Sequence, residues 1–363
     1  MADIQLNPLK KNSMPNTLET LQFNLPDALA CPKPTELRNM SRDDVRLLVT
    51  REQGQAAHTQ FYQLANHLQA GDVLVVNTSA TQAAAFPITL PSGVPGVVHL
   101  STRTAPREWL AEIRQIKENR TLRWKGGLPG MSFELNGNAS IQLQEQYYED
   151  RRLLHLWKVH LSTDKAVNTY MAEHGLPIQY ENLDKRQPLS YYQTYFSFHP
   201  GSSEMPSAAR GFTKNLVNML LQKGIVFAPI LLHTGVSSLE ENEAPYPEYM
   251  DLSPVSASII NVARQRGNRI VAVGTTAVRA VESATKAAGE VMAFKGYTDL
   301  YIQGSYEMKT INALLTGFHE PKASHLHMLQ SLAGPDHIEK AYASAIEHQY
   351  YWHQFGDLHL ILP

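Results

Sequence analysis

Cysteine is almost missing from this chain: its 363 residues hold one, Cys31. A single thiol excludes an internal disulfide and a cysteine-based zinc site. An excess of charge is missing too, with 32 Lys and Arg against 34 Asp and Glu. That balance excludes a globally basic nucleic-acid binder. No stretch reaches eighteen apolar residues, and the opening MADIQLNPLKKNSMPNTLET is polar. The sequence therefore predicts neither a membrane span nor a signal peptide. Tandem repeats, low-complexity tracts, GK[ST], GxGxxG and HExxH are all absent. What remains is the expectation of a soluble, cytoplasmic enzyme, long enough for two domains or one with an insertion. Fifteen histidines give it a rich supply of near-neutral acid–base groups.

The chain divides by texture. GDVLVVN reads as a turn at Gly71 and Asp72 followed by a buried strand over 73–76. From 77 to about 161, FPITL, GVVHL, SFEL, SIQLQEQYY and LLHLWKVHL read as short strands separated by Gly and Pro turns. Five or six such strands predict a small antiparallel barrel. After 163, helices alternate with buried strands. Helices are expected over 213–223, 254–265 (Ser253 as N-cap, Pro254 in the first turn), 277–288, 325–332 and 336–352. Strands are expected over 225–232, 269–273 and 299–302. This predicts an α/β domain, 1–76 and 164–363, with an inserted antiparallel β-barrel domain over 77–163. Ligands of such sheets sit beyond the carboxyl ends of the strands.

The strongest local signal is AVGTTAVRAVES. A strand delivers the chain into Gly274, and the hydroxyls of Thr275 and Thr276 stand where a helix begins. N–H groups and hydroxyls there suit a carboxylate or ribose; an ordinary capped turn is the plainer alternative. In LLHTG, His233 follows a buried strand. In LLTGFHEPKASHLHML, His319, Glu320, His325 and His327 crowd a loop and a helix start. Because His325 and His327 are two apart they point to different helix faces, so no metal is expected there. Segment 103–125 carries Arg103, Arg107, Arg114, Lys117, Arg120, Arg123 and Lys125, interleaved with Trp109 and Trp124. This strip is either a surface contacting a nucleic-acid backbone or a solvated barrel face. YYQTYF and GSSEMPSAARGFT form a long polar stretch of the kind that binds ligands.

Taken in this order, these motifs resemble the S-adenosylmethionine:tRNA ribosyltransferase-isomerase family of queuosine biosynthesis, from FNLP to FGDLHLI. LQAGDVLVVN is similar to that family's PGDLLVLN, YYQTYF to RYQTVYA and EMPSAARGFT to AAPTAGLHFT. LLHTG stands for LHVG, VGTTAVRAVES for VGTTSVRTLES, and TGFHEPKASHLHML for TNFHLPKSTLLML. The resemblance implies an α/β domain with an inserted barrel, and transfer of the ribosyl part of S-adenosylmethionine to a 7-deazaguanine in tRNA. Adenine and methionine leave. The sulfonium acidifies the adjoining C5′ protons, so the site needs a base, a proton donor and water exclusion, but no metal. On this resemblance His233, His319, Arg279 and Glu282 are the catalytic candidates. Gly274, Thr275, Thr276, Tyr192, Gln193, Ser207 and Phe318 are the substrate-binding ones.

Departures from the pattern mark a divergent member. NDTRVIPARL reads NTSATQAAAF, placing Thr78, Ala80 and Ala85 where the family has an acid and two arginines. Gly211 replaces a histidine, with a new Arg210 before it. Glu248, Asp251 and Ser253 occupy the His, His and Glu positions of HxMHxE. Two alternatives follow: a paralogue using S-adenosylmethionine with a small acceptor and no tRNA, or a relative that binds ligand without catalysis.

Overall fold

The structure is a computed structural model that describes residues 21–31, 33–52, 56–147, 156–181, 185–236, 247–304 and 306–363. Its first half holds β1 (Arg46–Arg51), β2 (Ala57–Gln60), β3 (Val73–Asn77), β4 (Ser79–Thr81), β5 (Ala85–Thr89) and β6 (Pro95–Ala105). Then come β7 (Glu108–Lys117), β8 (Arg120–Arg123), β9 (Ser132–Leu135), β10 (Ala139–Gln146), β11 (Leu156–Ser162) and α1 (Val167–His174). Next are β12 (His199–Ser202), α2 (Lys214–Gln222), β13 (Val226–Leu232), β14 (Glu248–Leu252), α3 (Pro254–Gln265) and β15 (Ile270–Val273). The chain closes with α4 (Thr275–Ser283), β16 (Phe294–Thr298), β17 (Ala313–Gly317), α5 (His325–Ala333), α6 (Pro335–Glu347) and β18 (Leu358–Leu362).

Nine strands form one mixed sheet in the order β16-β14-β13-β3-β15-β17-β18-β1-β2, and β13, β3, β15 and β17 run parallel. Period-two alternation splits its apolar residues between two faces. Val73, Val75, Ile270 and Ala272 pack with residues of α3, α4, α5 and α6. Leu74, Val76, Val271 and Val273 pack on the other side with α2. Such continuous apolar strands are what a sheet buried on both faces requires.

β5 to β11 form a second, antiparallel sheet, β5-β6-β7-β11-β10-β9 with β8 beside β7. Its edges β5 and β9 come together, giving a nearly closed barrel around Phe86, Trp109, Trp157 and Tyr170. The chain enters this barrel from the carboxyl end of β3 and returns through β12, which pairs in parallel with β4. Further bonds hold it on that edge: Ser203 Oγ donates to the Ser101 carbonyl (2.9 Å), Val236 N–H to Ser101 Oγ (3.0 Å) and Thr102 Oγ1 to the Pro247 carbonyl (2.8 Å). The α/β domain with an inserted antiparallel barrel is thus the observed fold.

Three elements differ from expectation. α4 spans Thr275–Ser283, starting earlier and stopping sooner than 277–288. Thr285 Oγ1 caps the Val281 carbonyl (2.7 Å), and Lys286 N–H reaches the Glu290 carbonyl (2.9 Å). A tight turn closed by Gly289 (φ +81°) thus replaces the last helical turn. The strand expected over 299–302 falls earlier, at β16, because the Thr298 and Leu300 carbonyls are turned toward Arg279. α6 ends at Glu347, where Gln349 adopts φ 56° and Tyr350 N–H returns to the Ala345 carbonyl. Tyr350 and Trp352 then enter the aromatic core beside Phe318.

Candidate active site

The carboxyl ends of the four parallel strands place Leu232 with His233, Asn77, Gly274 and Gly317 side by side. Asn77 is fully buried and clamps two of these ends. Its Nδ2 donates to the Leu232 carbonyl (2.8 Å), and its Oδ1 accepts from the N–H groups of Leu232 (3.0 Å) and Ser79 (3.1 Å). Gly274 bends the chain from β15 into α4 with φ +90° and ψ 156°, a conformation that side-chain-bearing residues adopt only under strain. Its N–H is fixed to the Leu315 carbonyl (2.8 Å). Gly274 has no side chain with which to cap α4, and among the described residues its first N–H groups, at Thr275 and Thr276, open onto this edge. Thr276 Oγ1 lies 3.5 Å from Asn77 Nδ2. The structure therefore brings Gly274, Thr275 and Thr276 to the sheet edge as a helix N-terminus, suited to an anionic or hydroxylated group.

His233 stands at one side of this opening. Its Nδ1 is 2.7 Å from Ser79 Oγ, its backbone N–H donates to the Tyr249 carbonyl (2.9 Å), and Tyr249 stacks on the ring at 5.7 Å. Burial, assisted by His199, lowers its pKa to about 4, so the ring is neutral near pH 7. The backbone of Gly201 lies flat against the imidazole: a Cβ there would fall 2.3 Å from Cε1. Gly201→Ala should therefore displace the ring. We expect turnover to fall at least tenfold with little change in urea midpoint, as checked by paired kinetics and denaturation. A variant with wild-type rates would mean that the ring position is unimportant.

His319 follows β17 on the far side. Its Nε2 is 3.0 Å from Thr316 Oγ1, its ring stacks on His325 at 4.7 Å, and its backbone is held by Tyr342 and Trp352. Burial, then His325 and His359, keep its pKa well below the usual value. His325 is lowered to about 4 by burial and by Arg279. β13 and β17 are three strand spacings apart, so the two histidines bracket roughly 14 Å of edge.

Several expected site residues are engaged elsewhere. Glu282 is 2% exposed and accepts from the N–H groups of Lys309 (2.9 Å), Thr310 (3.0 Å) and Ile311 (2.9 Å) and from the Tyr306 hydroxyl (3.1 Å). It anchors the 306–311 segment to α4 and is not turned to a ligand. Arg279 pairs with Glu248 and donates to the Leu300 carbonyl (3.0 Å). Glu248 also accepts from Gly235 N–H (2.7 Å), so a buried ion pair fills part of the region where the family pattern has histidine. Gln193 uses both amide atoms on the backbone of Thr81, and Tyr192 is buried against Phe355. Phe318 packs in an aromatic cluster with Tyr342, Tyr350, Trp352 and His359. Ser207 lines a small crevice with Arg210, Gly211 and Gly317. Arg210 bonds Glu36 (2.5 Å) and stacks on Phe355. Against the upward push of burial, Glu36's own backbone N–H and the Arg210 and Arg42 guanidiniums hold its carboxyl at about 2.

Sequence reasoning missed Asn77, Ser79, Ser202 and the Glu248–Arg279 pair as parts of this edge. The available signal was the run of polar residues directly after the apolar β3 strand. The basic strip divides: Arg114 and Arg123 turn inward to Glu112, whereas Lys117, Arg120 and Lys125 are exposed. Among the described residues no group of three His, Cys, Asp or Glu side chains is placed to hold a metal ion. Nor is any helix there long and apolar enough to cross a membrane.

A barrel seated on the carboxyl edge of an α/β sheet, with buried histidines and a helix N-terminus on that edge, defines an α/β protein with a candidate ligand site at its strand ends. A family model described as a queuosine biosynthesis protein matches residues 18–361. The chain belongs to this queuosine biosynthesis protein family. It is 32% identical over 356 residues to the S-adenosylmethionine:tRNA ribosyltransferase-isomerase of Moorella thermoacetica, covering 95% of this chain and 99% of that one. It is 30% identical over 364 residues to the enzyme of the same name from Desulforamulus reducens, with the same coverage. The crystal structure of S-adenosylmethionine tRNA ribosyltransferase from Thermotoga maritima is similar at TM-score 0.52 and 25% identity. That match covers 94% of this chain and 99% of the other.

Proposed function

We propose that this protein moves the ribosyl part of S-adenosylmethionine onto a 7-deazaguanine in tRNA, with release of adenine and methionine, in the cytoplasm. One observation carries the reading. Gly274, Thr275, Thr276, His233 and His319 lie along one sheet edge in a chain that belongs to the family over nearly its whole length. The residues there fit the donor. The N–H groups of Thr275 and Thr276 suit its carboxylate or ribose hydroxyls, and the roughly 14 Å between the histidines suits an elongated molecule. The donor's sulfonium makes its neighbouring C5′ hydrogens acidic. His233 and His319, both held neutral, are the groups able to exchange protons or hydrogen bonds with it. Arg279 acts through Glu248 to fix the strand ends, and Glu282 fixes α4. Ser207 faces the acceptor side, on the loop whose Met205 packs with Tyr192, while Gln193 braces Thr81. Residues 77–163 serve as the inserted barrel unit, and its exposed Lys117, Arg120 and Lys125 are the tRNA contacts. No metal takes part.

A second reading, a small acceptor in place of tRNA, is favoured by one feature: Arg114 and Arg123 are folded into the barrel and cannot meet a phosphate backbone. Incubation with S-adenosylmethionine, with and without tRNA carrying the deazaguanine precursor, separates the two. Adenine released only with the tRNA is the expected result; adenine without RNA establishes the small-acceptor enzyme. Calorimetry should show donor binding in the absence of tRNA, and His319→Ala should lower turnover by about 10²-fold or more. Absence of donor binding would sink both readings, and tight binding without product would leave a non-catalytic relative.

A further inference from the structure

Behind His233 lies a chain of hydroxyls with a direction. Ser79 Oγ is 2.7 Å from His233 Nδ1 and 2.6 Å from Ser202 Oγ, and Ser202 Oγ accepts from Thr234 N–H at 3.0 Å. Both serines are completely buried. Two head-to-tail proton arrangements are conceivable; a third, with Nδ1–H and Ser202 both donating to Ser79, leaves the Ser79 proton without an acceptor among the described residues. In one, Ser202 donates to Ser79 and Ser79 donates to a bare Nδ1, so both hydroxyl protons are used. In the other, Nδ1–H donates to Ser79 and Ser79 to Ser202. The Ser202 proton is then left with no acceptor among the described residues. A buried hydroxyl proton without an acceptor is costly, and that cost selects the first arrangement.

We propose that Ser79 is a positioning residue whose hydroxyl, with Ser202 behind it in a relay, gives its proton to Nδ1 and so holds His233 with its own proton on Nε2. The imidazole then meets substrate as a hydrogen-bond donor. This deepens the proposed function and rests on its placement of substrate at His233. Nε2 has no partner among the described residues, while Gly201 and Tyr249 confine the ring, so the N–H direction is set before anything binds. A preorganised neutral N–H stabilises negative charge developing on a departing purine without transferring its proton. The base that takes the C5′ proton is then a group other than His233.

The test is the tautomer itself, read in the full-length, ligand-free protein by long-range proton–nitrogen correlation on ¹⁵N-histidine-labelled samples near pH 7. His233 is assigned by the resonance lost in His233→Gln. The expected spectrum has Nδ1 as a bare ring nitrogen and Nε2 protonated. Ser79→Ala should relax the ring from a single tautomer to the mixture of tautomers of an unconstrained imidazole. Ser202→Ala should keep the single tautomer, because Ser79 still has its proton to give. A wild-type spectrum with the proton on Nδ1 overturns the relay without any variant having to fold, and so does an unchanged spectrum in Ser79→Ala. If the tautomer is as stated but adenine release is indifferent to His233→Gln, the relay stands and the substrate placement at His233 fails.

Discussion

Lowering the pH from 7 to 4.5 should remove about 5 kcal/mol of folding stability through two buried histidines alone. His99 is 1% exposed inside the barrel, and His359 is fully buried in the sheet. Burial, with Arg114 and Arg186 nearby, lowers the His99 pKa to about 3; burial and His337 do the same for His359. In the unfolded chain each imidazole takes a proton near pH 6.5. Between pH 6.5 and 3 the unfolded state therefore binds more protons than the folded one. Stability is complete above pH 6.5 and falls below it by about 1.4 kcal/mol per pH unit for each group. A loss of that size rivals the whole stability of an ordinary domain. Urea unfolding at a series of pH values is the measurement. His99→Phe, which keeps an aromatic ring against Tyr180, should reduce the slope by one group's share. A midpoint that stays constant from pH 7 to 4.5 would show that these rings are hydrated in solution.

Glu248→Ala should destabilise the protein by about 3–5 kcal/mol, because it takes the carboxylate away from a buried guanidinium. The side chains of Arg279 and Glu248 are 9% and 11% exposed, and the carboxylate also accepts from Gly235 N–H. Removing one partner takes charge compensation from the other, whereas replacing both with apolar residues removes the desolvation penalty of each. The double variant Glu248→Met with Arg279→Met should therefore recover most of the loss. Glu248→Gln, which keeps an acceptor for Gly235 but not the charge, should fall between. Equal destabilisation by the single and double variants would mean that packing, and not the loss of charge compensation, sets the cost. The pair joins α4 to the β13–β14 end of the sheet, so these variants should also weaken donor binding.

Much of the scaffold was readable in the chain because its signals are local. Ser253 and Pro254 mark the start of α3, and Ser253 Oγ does accept from Ser256 N–H. The apolar run after Gly71 and Asp72 became β3, and the 213–223 pattern became α2 with Thr213 as its N-cap. Errors came where a side-chain or backbone group is claimed from a distance. The 299–302 segment has strand composition, yet Arg279 draws the carbonyls around it out of any ladder. The end of α6 has helical residues, but burial of Tyr350 and Trp352 in the aromatic core stops it.

The site divides in the same way. His233, His319 and the Gly274–Thr276 turn were legible because each directly follows an apolar strand, and strand ends in an α/β sheet are brought to one edge by the fold class itself. By itself the sequence determined the order of elements, the family and which histidines stand at that edge. Only the tertiary structure decided which polar groups are free. Glu282 is closed off by N–H groups 27 to 29 positions away, and Arg279 by a carboxylate 31 away. Nδ1 of His233 meets a serine 154 positions away. Hydrogen-bond partners so far apart leave no mark in local composition or period. A polar residue's chemistry is set by what the folded chain puts beside it.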